Sequence, residues 1–237
     1  MVSSAVRFDR GSPTLLITNE SDLPDREVRH VVAAIQEQVD RDFFPIWGWR
    51  AVLAFRPRSL PKNPMRIVLK NSNRKGDPGY HFIDGAPEAE VFTRDGHGRL
   101  LKDWDATLSH EVLEMIADPG VNLYARGHVL RAGRRRKAFV AYEVCDPVQD
   151  RLYVIDNVKV TDFVTPEWFE PERERDSTKF SFLCAVAEPF ELTEGGYIDA
   201  YLDGRFITVW GQPSKKKEKR YRRAVRAVAG AAPVRKG

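Results

Sequence analysis

Apolar residues recur along the first half of the chain with two different spacings. Short apolar runs, typical of buried strands, lie at residues 14–18, 51–55, 66–70 and 90–93. From residue 26 to about 44 the apolar positions recur every three or four residues. This spacing predicts an amphipathic helix that stops near Pro45. A second helix is predicted over residues 104–118, so the elements follow the order strand, helix, three strands, helix.

The second half is predicted to consist mainly of strands and turns. Residues 138–144 form a strand candidate. Asp156-Asn157 and Asp203-Gly204 each separate two apolar runs by two residues, which predicts two tight hairpins. We therefore expect a single α+β domain over residues 1–211, with halves at 14–118 and 119–211. A basic tail over residues 212–237 would follow it.

The second predicted helix carries His110, Glu111 and Glu114. Residues four apart lie on one face of a helix, so His110 and Glu114 can bind one metal ion. Glu111 is placed to act as the general base that takes a proton from a metal-bound water. The motif follows the H-E-x-x-H pattern of zinc hydrolases, with glutamate in place of the second histidine. The alternative is a solvated or salt-bridged cluster without a metal.

This motif and the order of elements over residues 14–118 resemble the zincin metalloproteases, particularly their metzincin-like N-terminal half. The resemblance implies a mixed, twisted sheet packed on two helices, with the metal ligands on the second helix. It also implies that the strand before that helix borders the substrate cleft. Zn²⁺ is the expected cofactor, and the carboxylate at position 114 makes Mn²⁺ or Fe²⁺ more competitive.

The third ligand has to come from elsewhere in the chain. Metzincins carry theirs ten residues after the first histidine, where this chain has Gly120. In glutamate zincins the third ligand is a glutamate well beyond the motif, which favours Glu143. Asp146 is the alternate ligand, or a group that orients His110. Glu143 as an ordinary carboxylate at the end of a strand remains equally open.

Two further residues are candidates for contacts with the substrate. His81 precedes the strand at 90–93 and could face the cleft as a substrate or oxyanion contact, although a loop histidine without this role is the simpler alternative. Tyr197 follows two glycines and could donate its hydroxyl to a developing oxyanion. A core tyrosine at the start of a strand is the alternative for that residue.

Charge is distributed unevenly along the 237 residues. The formal net charge is +4, but residues 212–237 contain ten Lys and Arg against one Glu, so the preceding 211 residues carry −5. The tail could attract an anionic partner or could simply be a solubilising segment. Residues 126–137 form a second basic stretch, predicted to be a loop bordering the cleft. Two cysteines and no signal-peptide pattern predict a reducing, cytoplasmic setting, with no membrane span.

The leading hypothesis is therefore a metal-dependent hydrolase, in particular a peptidase acting on a peptide or protein substrate. The second is a catalytically inactive zincin-shaped protein that docks on a partner through its basic tail. A nucleic-acid accessory protein is a third hypothesis, which the acidic body and the lack of a recognised binding motif disfavour.

Overall fold

The computed structural model describes residues 12–59, 64–72, 78–131, 134–170 and 179–211. The basic tail predicted at 212–237 lies outside these ranges. Within them the chain folds as α+β, as the sequence predicts, with five-stranded, four-stranded and two-stranded sheets. No helix in the described ranges is long and apolar enough to cross a membrane.

The first sheet contains β1 (Thr14–Asn19), β2 (Val52–Phe55), β3 (Met65–Lys70), β4 (Gly79–Asp84) and β5 (Ala86–Phe92). Its order is β2-β1-β3-β5-β4, and all pairings are parallel except the one between β4 and β5. The apolar runs predicted as strands are confirmed, since parallel strands buried on both faces have such sequences. The edge strand β4 was not predicted, because its sequence GYHFID is not an apolar run.

The long helix of the first half continues past the predicted stop. α1 (Asp25–Glu37) passes into a π-helical segment (Gln38–Phe43) and then into α2 (Phe44–Trp47). The expected stop at Pro45 is wrong because this proline lies in the first turn of α2, where its missing N–H costs nothing. The chain turns instead at Gly48, whose φ of 70° is the left-handed conformation that glycine adopts readily.

The elements from α3 onward are α3 (Trp104–Ala117), β6 (Tyr124–Arg131), β7 (Arg134–Ala141), a 3₁₀ turn (Asp146–Val148), β8 (Leu152–Ile155), β9 (Val158–Thr161), α4 (Pro166–Phe169), β10 (Tyr197–Leu202) and β11 (Arg205–Trp210). Strands β6, β7, β10 and β11 form the second sheet, and β8 pairs with β9. The predicted basic loop at 126–137 is wrong, because residues 126–131 and 134–137 belong to the paired strands β6 and β7. None of its described residues lines the cleft described below.

Both predicted hairpins are confirmed by their turn geometry. Asp156 and Asn157, between β8 and β9, have φ values of 47° and 62°. Asp203 and Gly204, between β10 and β11, have φ values of 51° and 83°. Positive φ at both central residues is the geometry whose twist matches the flanking strands, and Asp, Asn and Gly tolerate it best.

Helix α3 lies in the centre of the molecule. It packs on β3, β4 and β5 of the first sheet on one side and on β9 of the second half on the other. Most of its residues are buried, as expected for a helix covered on more than one face. One continuous apolar cluster, from Leu15 to Leu202, joins the two halves around it. The position of α3 therefore depends on both halves of the chain.

A buried hydrogen-bond network fixes α3 against its neighbours. Ser109 donates its hydroxyl to Gln38 Oε1 (2.7 Å) and accepts the backbone N–H of Thr161 (3.1 Å). Gln38, in the π-helical segment, donates to the carbonyl of Thr161 (2.8 Å) and to the hydroxyl of Tyr153 (3.1 Å). Gln38 and Ser109 are completely buried, so each lost bond would leave a polar group without water.

We expect Ser109→Ala to lower the free energy of unfolding by about 1–3 kcal/mol, because it leaves Gln38 and Thr161 with unsatisfied buried groups. Chemical denaturation followed by circular dichroism measures the change. Ser12→Ala is the matched control, since the Ser12 hydroxyl accepts a surface hydrogen bond from Arg50. Its effect should stay within about 0.5 kcal/mol. Equal effects of the two substitutions would contradict the role of the network.

Candidate metal centre

Helix α3 presents the two residues of the motif on one face, as predicted. Nε2 of His110 lies 3.1 Å from Oε2 of Glu114, one turn further along the helix. Glu111 and Glu114 are 4% and 2% exposed, and His110 is only partly exposed. Such burial is costly unless neighbouring groups compensate the charge.

The 3₁₀ turn after β7 brings Asp146 to the motif. Its Oδ1 lies 3.2 Å from Nε2 of His110. The other oxygen of Glu114 accepts the backbone N–H groups of Cys145 (3.2 Å) and Asp146 (3.4 Å). Glu114 therefore holds the turn against α3 while its second oxygen faces His110. Of the two candidates for the third ligand, the alternate one, Asp146, is the residue that contacts His110.

Glu143 lies in the same cluster but makes a different contact. It follows the end of β7, and its Oε2 is 3.4 Å from Nε2 of His81. Glu143 is 3% exposed. The residue favoured from the sequence as third ligand thus accompanies His81, and the contact to His110 is made by Asp146.

His81 is a strand residue, so the alternative of a loop histidine is wrong. It belongs to the edge strand β4, and its Nδ1 lies 3.1 Å from Oε2 of Glu111 and 3.6 Å from Oε2 of Glu114. The side chain is 7% exposed and faces inward. Sequence reasoning proposed it only as a substrate contact and missed its pairing with Glu111. The signal that could have revealed this pairing is the inward-facing position of His81 in strand β4. Because β4 was not predicted, there was no indication from the sequence that His81 faces inward.

Tyr197, at the start of β10, is buried beside the cluster. Its hydroxyl hydrogen-bonds the carboxylate of Asp146, and its ring packs against Trp210. The tyrosine therefore combines the two predicted possibilities, since it lines the cleft and is also part of the core. In this structure the hydroxyl orients the carboxylate of Asp146.

The cluster shifts the pKa values of its members because charges are crowded where water is scarce. Burial lowers the pKa of His81, but Glu143 and Glu111 outweigh this effect and raise it to about 10. Glu114 and Asp146 likewise hold the pKa of His110 well above its usual value despite burial. Burial, together with the charge of Glu114, raises the pKa of Asp146 to about 6. The carboxylates therefore favour protonated imidazoles, which offset part of the negative charge of the cluster.

The donor atoms of the cluster suit a divalent cation. Ligand atoms of His81, Glu111 and Glu114 lie within 4.8 Å of one another, as do those of His110, Glu114 and Cys145. Burial raises the pKa of the Cys145 thiol well above its usual value, so deprotonating this sulfur for a metal costs more than using a carboxylate. The nitrogen and oxygen donors of the cluster suit Zn²⁺, Mn²⁺ or Fe²⁺.

The cluster forms the floor of a cleft of about 410 Å³, a volume that suits a small ligand or a few residues of a peptide. Its walls come from both halves of the chain. The lining includes Tyr80 and His81 of β4, Thr107 of α3, Gln149 after the 3₁₀ turn, and Tyr197. The motif helix is therefore accessible from one side although it is buried on the others.

Comparison of the chain with protein-family models, with curated proteins and with solved structures finds no match.

A close approach between two backbone segments positions the turn that carries Asp146. An added Cβ at Gly196 would lie 2.0 Å from the carbonyl oxygen of Pro147, a distance that real Cβ atoms do not reach. Pro147 follows Asp146, and Gly196 precedes Tyr197. Only glycine therefore lets β10 begin against this turn.

Gly196→Ala should lower the free energy of unfolding by about 1–3 kcal/mol, because the turn or the start of β10 has to move. Thermal and chemical denaturation measure the loss. Gly96→Ala is the matched control, since an added Cβ there meets nothing within 4 Å. That variant should stay within about 0.5 kcal/mol of the natural chain. A tolerated Gly196→Ala would show that the contact does not constrain the turn.

Proposed function

We propose that this protein is a metal-dependent hydrolase, in particular a peptidase, that uses a water molecule held at the cluster. The observation that carries the proposal is the meeting of His110, Glu114 and Asp146. Both carboxylates lie within 3.2 Å of the same imidazole nitrogen, at the floor of an open cleft. Three such side chains with an accessible side are what a catalytic metal site requires. A divalent cation there would polarise a bound water and lower its pKa.

Glu111 is the proposed general base. Its carboxylate lines the cleft one residue along α3 from His110, and it accepts a hydrogen bond from Nδ1 of His81. That bond fixes the orientation of the carboxylate. A carboxylate held in place within reach of a water molecule can accept its proton and later return it to a leaving amine.

The roles of the other residues follow from their contacts. The hydroxyl of Tyr197 holds the carboxylate of Asp146, as the outer partners of metal-binding carboxylates do. The backbone N–H groups of Cys145 and Asp146 fix the second oxygen of Glu114. Both proposed carboxylate ligands, Glu114 on α3 and Asp146 in the turn, are therefore oriented by a further group.

The arrangement of elements also supports a peptidase of the zincin type. A mixed sheet packs on α3, and the motif lies on the second long helix of the chain, as the resemblance implies. The expectation that the strand directly before α3 borders the cleft is wrong, because β5 has no residue in the lining. The strand that lines the cleft is β4, which is antiparallel at the edge of the sheet. An edge strand has free backbone groups with which an extended peptide can pair.

Glu111→Gln should lower turnover by about 10²–10⁴-fold, because glutamine cannot accept the proton of the water. The variant should keep the metal, which separates the loss of the base from the loss of the site. Cleavage of a mixed peptide library by the zinc-loaded full-length chain, followed by mass spectrometry, measures turnover.

Glu20→Gln is the control for this substitution, since Glu20 is exposed and lies outside the cleft. It should cleave at the rate of the natural chain. If the zinc-loaded natural chain cleaves no peptide, or if Glu111→Gln cleaves equally fast, the peptidase proposal is wrong.

Removal of metal should destabilise the folded chain. A cation present at a hundred times its dissociation constant stabilises the native state by about 2.7 kcal/mol. For a domain of this size that corresponds to roughly 5–10 °C in Tm. We expect a chelator to lower the Tm of the natural chain by this amount and to lower the Tm of His110→Asn by clearly less. Differential scanning calorimetry gives both values, and equal responses would contradict metal binding at His110.

A further inference from the structure

His81 has one nitrogen engaged in a hydrogen bond and one that is not. A carboxylate only accepts hydrogen bonds, so the proton in the 3.1 Å contact with Glu111 is on Nδ1 of His81. Nε2 is buried and finds no hydrogen-bond partner among the residues described. It points instead toward Glu143, whose Oε2 lies 3.4 Å away. Histidines that bind metals commonly donate one N–H to a carboxylate and direct the other nitrogen at the ion.

The distance between His81 and Glu143 fits a shared cation. Two atoms bound to one tetrahedral ion at 2.0–2.2 Å lie about 3.3–3.6 Å apart. The 3.4 Å contact between Nε2 of His81 and Oε2 of Glu143 has this length without forming a hydrogen bond. These two atoms are therefore placed as ligands of one ion.

Glu114 lies between the two histidines. Its Oε2 is 3.1 Å from Nε2 of His110 and 3.6 Å from Nδ1 of His81. This oxygen therefore lies between the two imidazole rings, and its contact with His81 is at the nitrogen that carries the proton. His81 and Glu143 thus lie beside the proposed ligands His110, Glu114 and Asp146 and form a separate pair of candidate ligands.

The charge of the cluster favours more than one cation. Four carboxylates and two imidazoles meet in it, and all six side chains are at least largely buried. One divalent cation at His110, with a proton kept on His81, leaves one negative charge uncompensated, whereas two cations with neutral imidazoles leave none. Because uncompensated buried charge costs several kcal/mol for each ion, the pair of cations is the favoured state.

We propose that the cleft binds two divalent cations: one at His110, Glu114 and Asp146, and a second at His81 and Glu143, with Glu114 between them. The inference rests on the proposed hydrolase function and extends it. Glu111 remains the base, oriented by Nδ1–H of His81. Paired cations stabilise both the attacking and the leaving oxygen in hydrolytic reactions, which gives the second position a function.

The number of bound ions tests this inference on the full-length chain. Protein stripped with a chelator is reloaded with Zn²⁺, desalted and analysed by elemental mass spectrometry. We expect two equivalents for the natural chain and one for each of His81→Asn and Glu143→Gln. His97→Asn is the matched control, because His97 is exposed, and it should keep two equivalents.

Loading with Mn²⁺ gives an independent measurement that needs no variant. Two adjacent Mn²⁺ ions produce an exchange-coupled electron paramagnetic resonance spectrum, and isolated ions produce six separate lines. Circular dichroism shows whether each variant is folded. If His81→Asn does not fold, the Mn²⁺ spectrum of the natural chain alone decides whether two adjacent ions bind.

Each remaining outcome contradicts a defined part of the account. One equivalent in the natural chain overturns the second position and leaves the proposed hydrolase intact. No bound metal overturns both. Two equivalents that persist in His81→Asn and Glu143→Gln place the second ion elsewhere and overturn its assignment, as does the loss of both ions in His81→Asn.

Discussion

The buried charge at the base of the cleft is the constraint on which the rest of the structure depends. Carboxylates of α3 and of the segment after β7 surround the imidazoles of His81 and His110. Such a concentration of negative charge away from water is unstable unless protons or cations balance it. The raised pKa values of both histidines have this cause, since the surrounding carboxylates favour the protonated imidazoles. The same field that holds those protons would attract a divalent cation in their place.

The fold holds this charge by fixing α3 from several directions. The first sheet covers one side of the helix and β9 covers another, and Ser109 bonds to Gln38 and Thr161 directly beside His110. The turn that carries Asp146 is held by Glu114 and by the close approach of Gly196. Contacts from so many sides would keep the donor atoms of the cluster in place, which would lower the ordering cost of binding a metal ion.

The sequence was sufficient for the parts of the fold whose pattern is local. Apolar runs, helical spacing and Asp-Asn or Asp-Gly turns each determine an element over a few residues, and these predictions are confirmed. The edge strand β4 was missed because its sequence, GYHFID, is short and contains no apolar run. The pairing of His81 with Glu111, and the choice of Asp146 over Glu143 as the residue beside His110, depend on contacts between residues 30 or more positions apart. No spacing rule in one sequence can supply such pairings.

The central claim is that His110, Glu114 and Asp146 bind a metal ion, and anomalous diffraction tests it most directly. Crystals of the zinc-loaded chain, measured on both sides of the zinc absorption edge, show where the ion lies. The account predicts a strong anomalous peak about 2 Å from Nε2 of His110, with oxygens of Glu114 and Asp146 at a similar distance. A cluster without an anomalous peak, in crystals whose zinc is bound elsewhere on the chain, would contradict it.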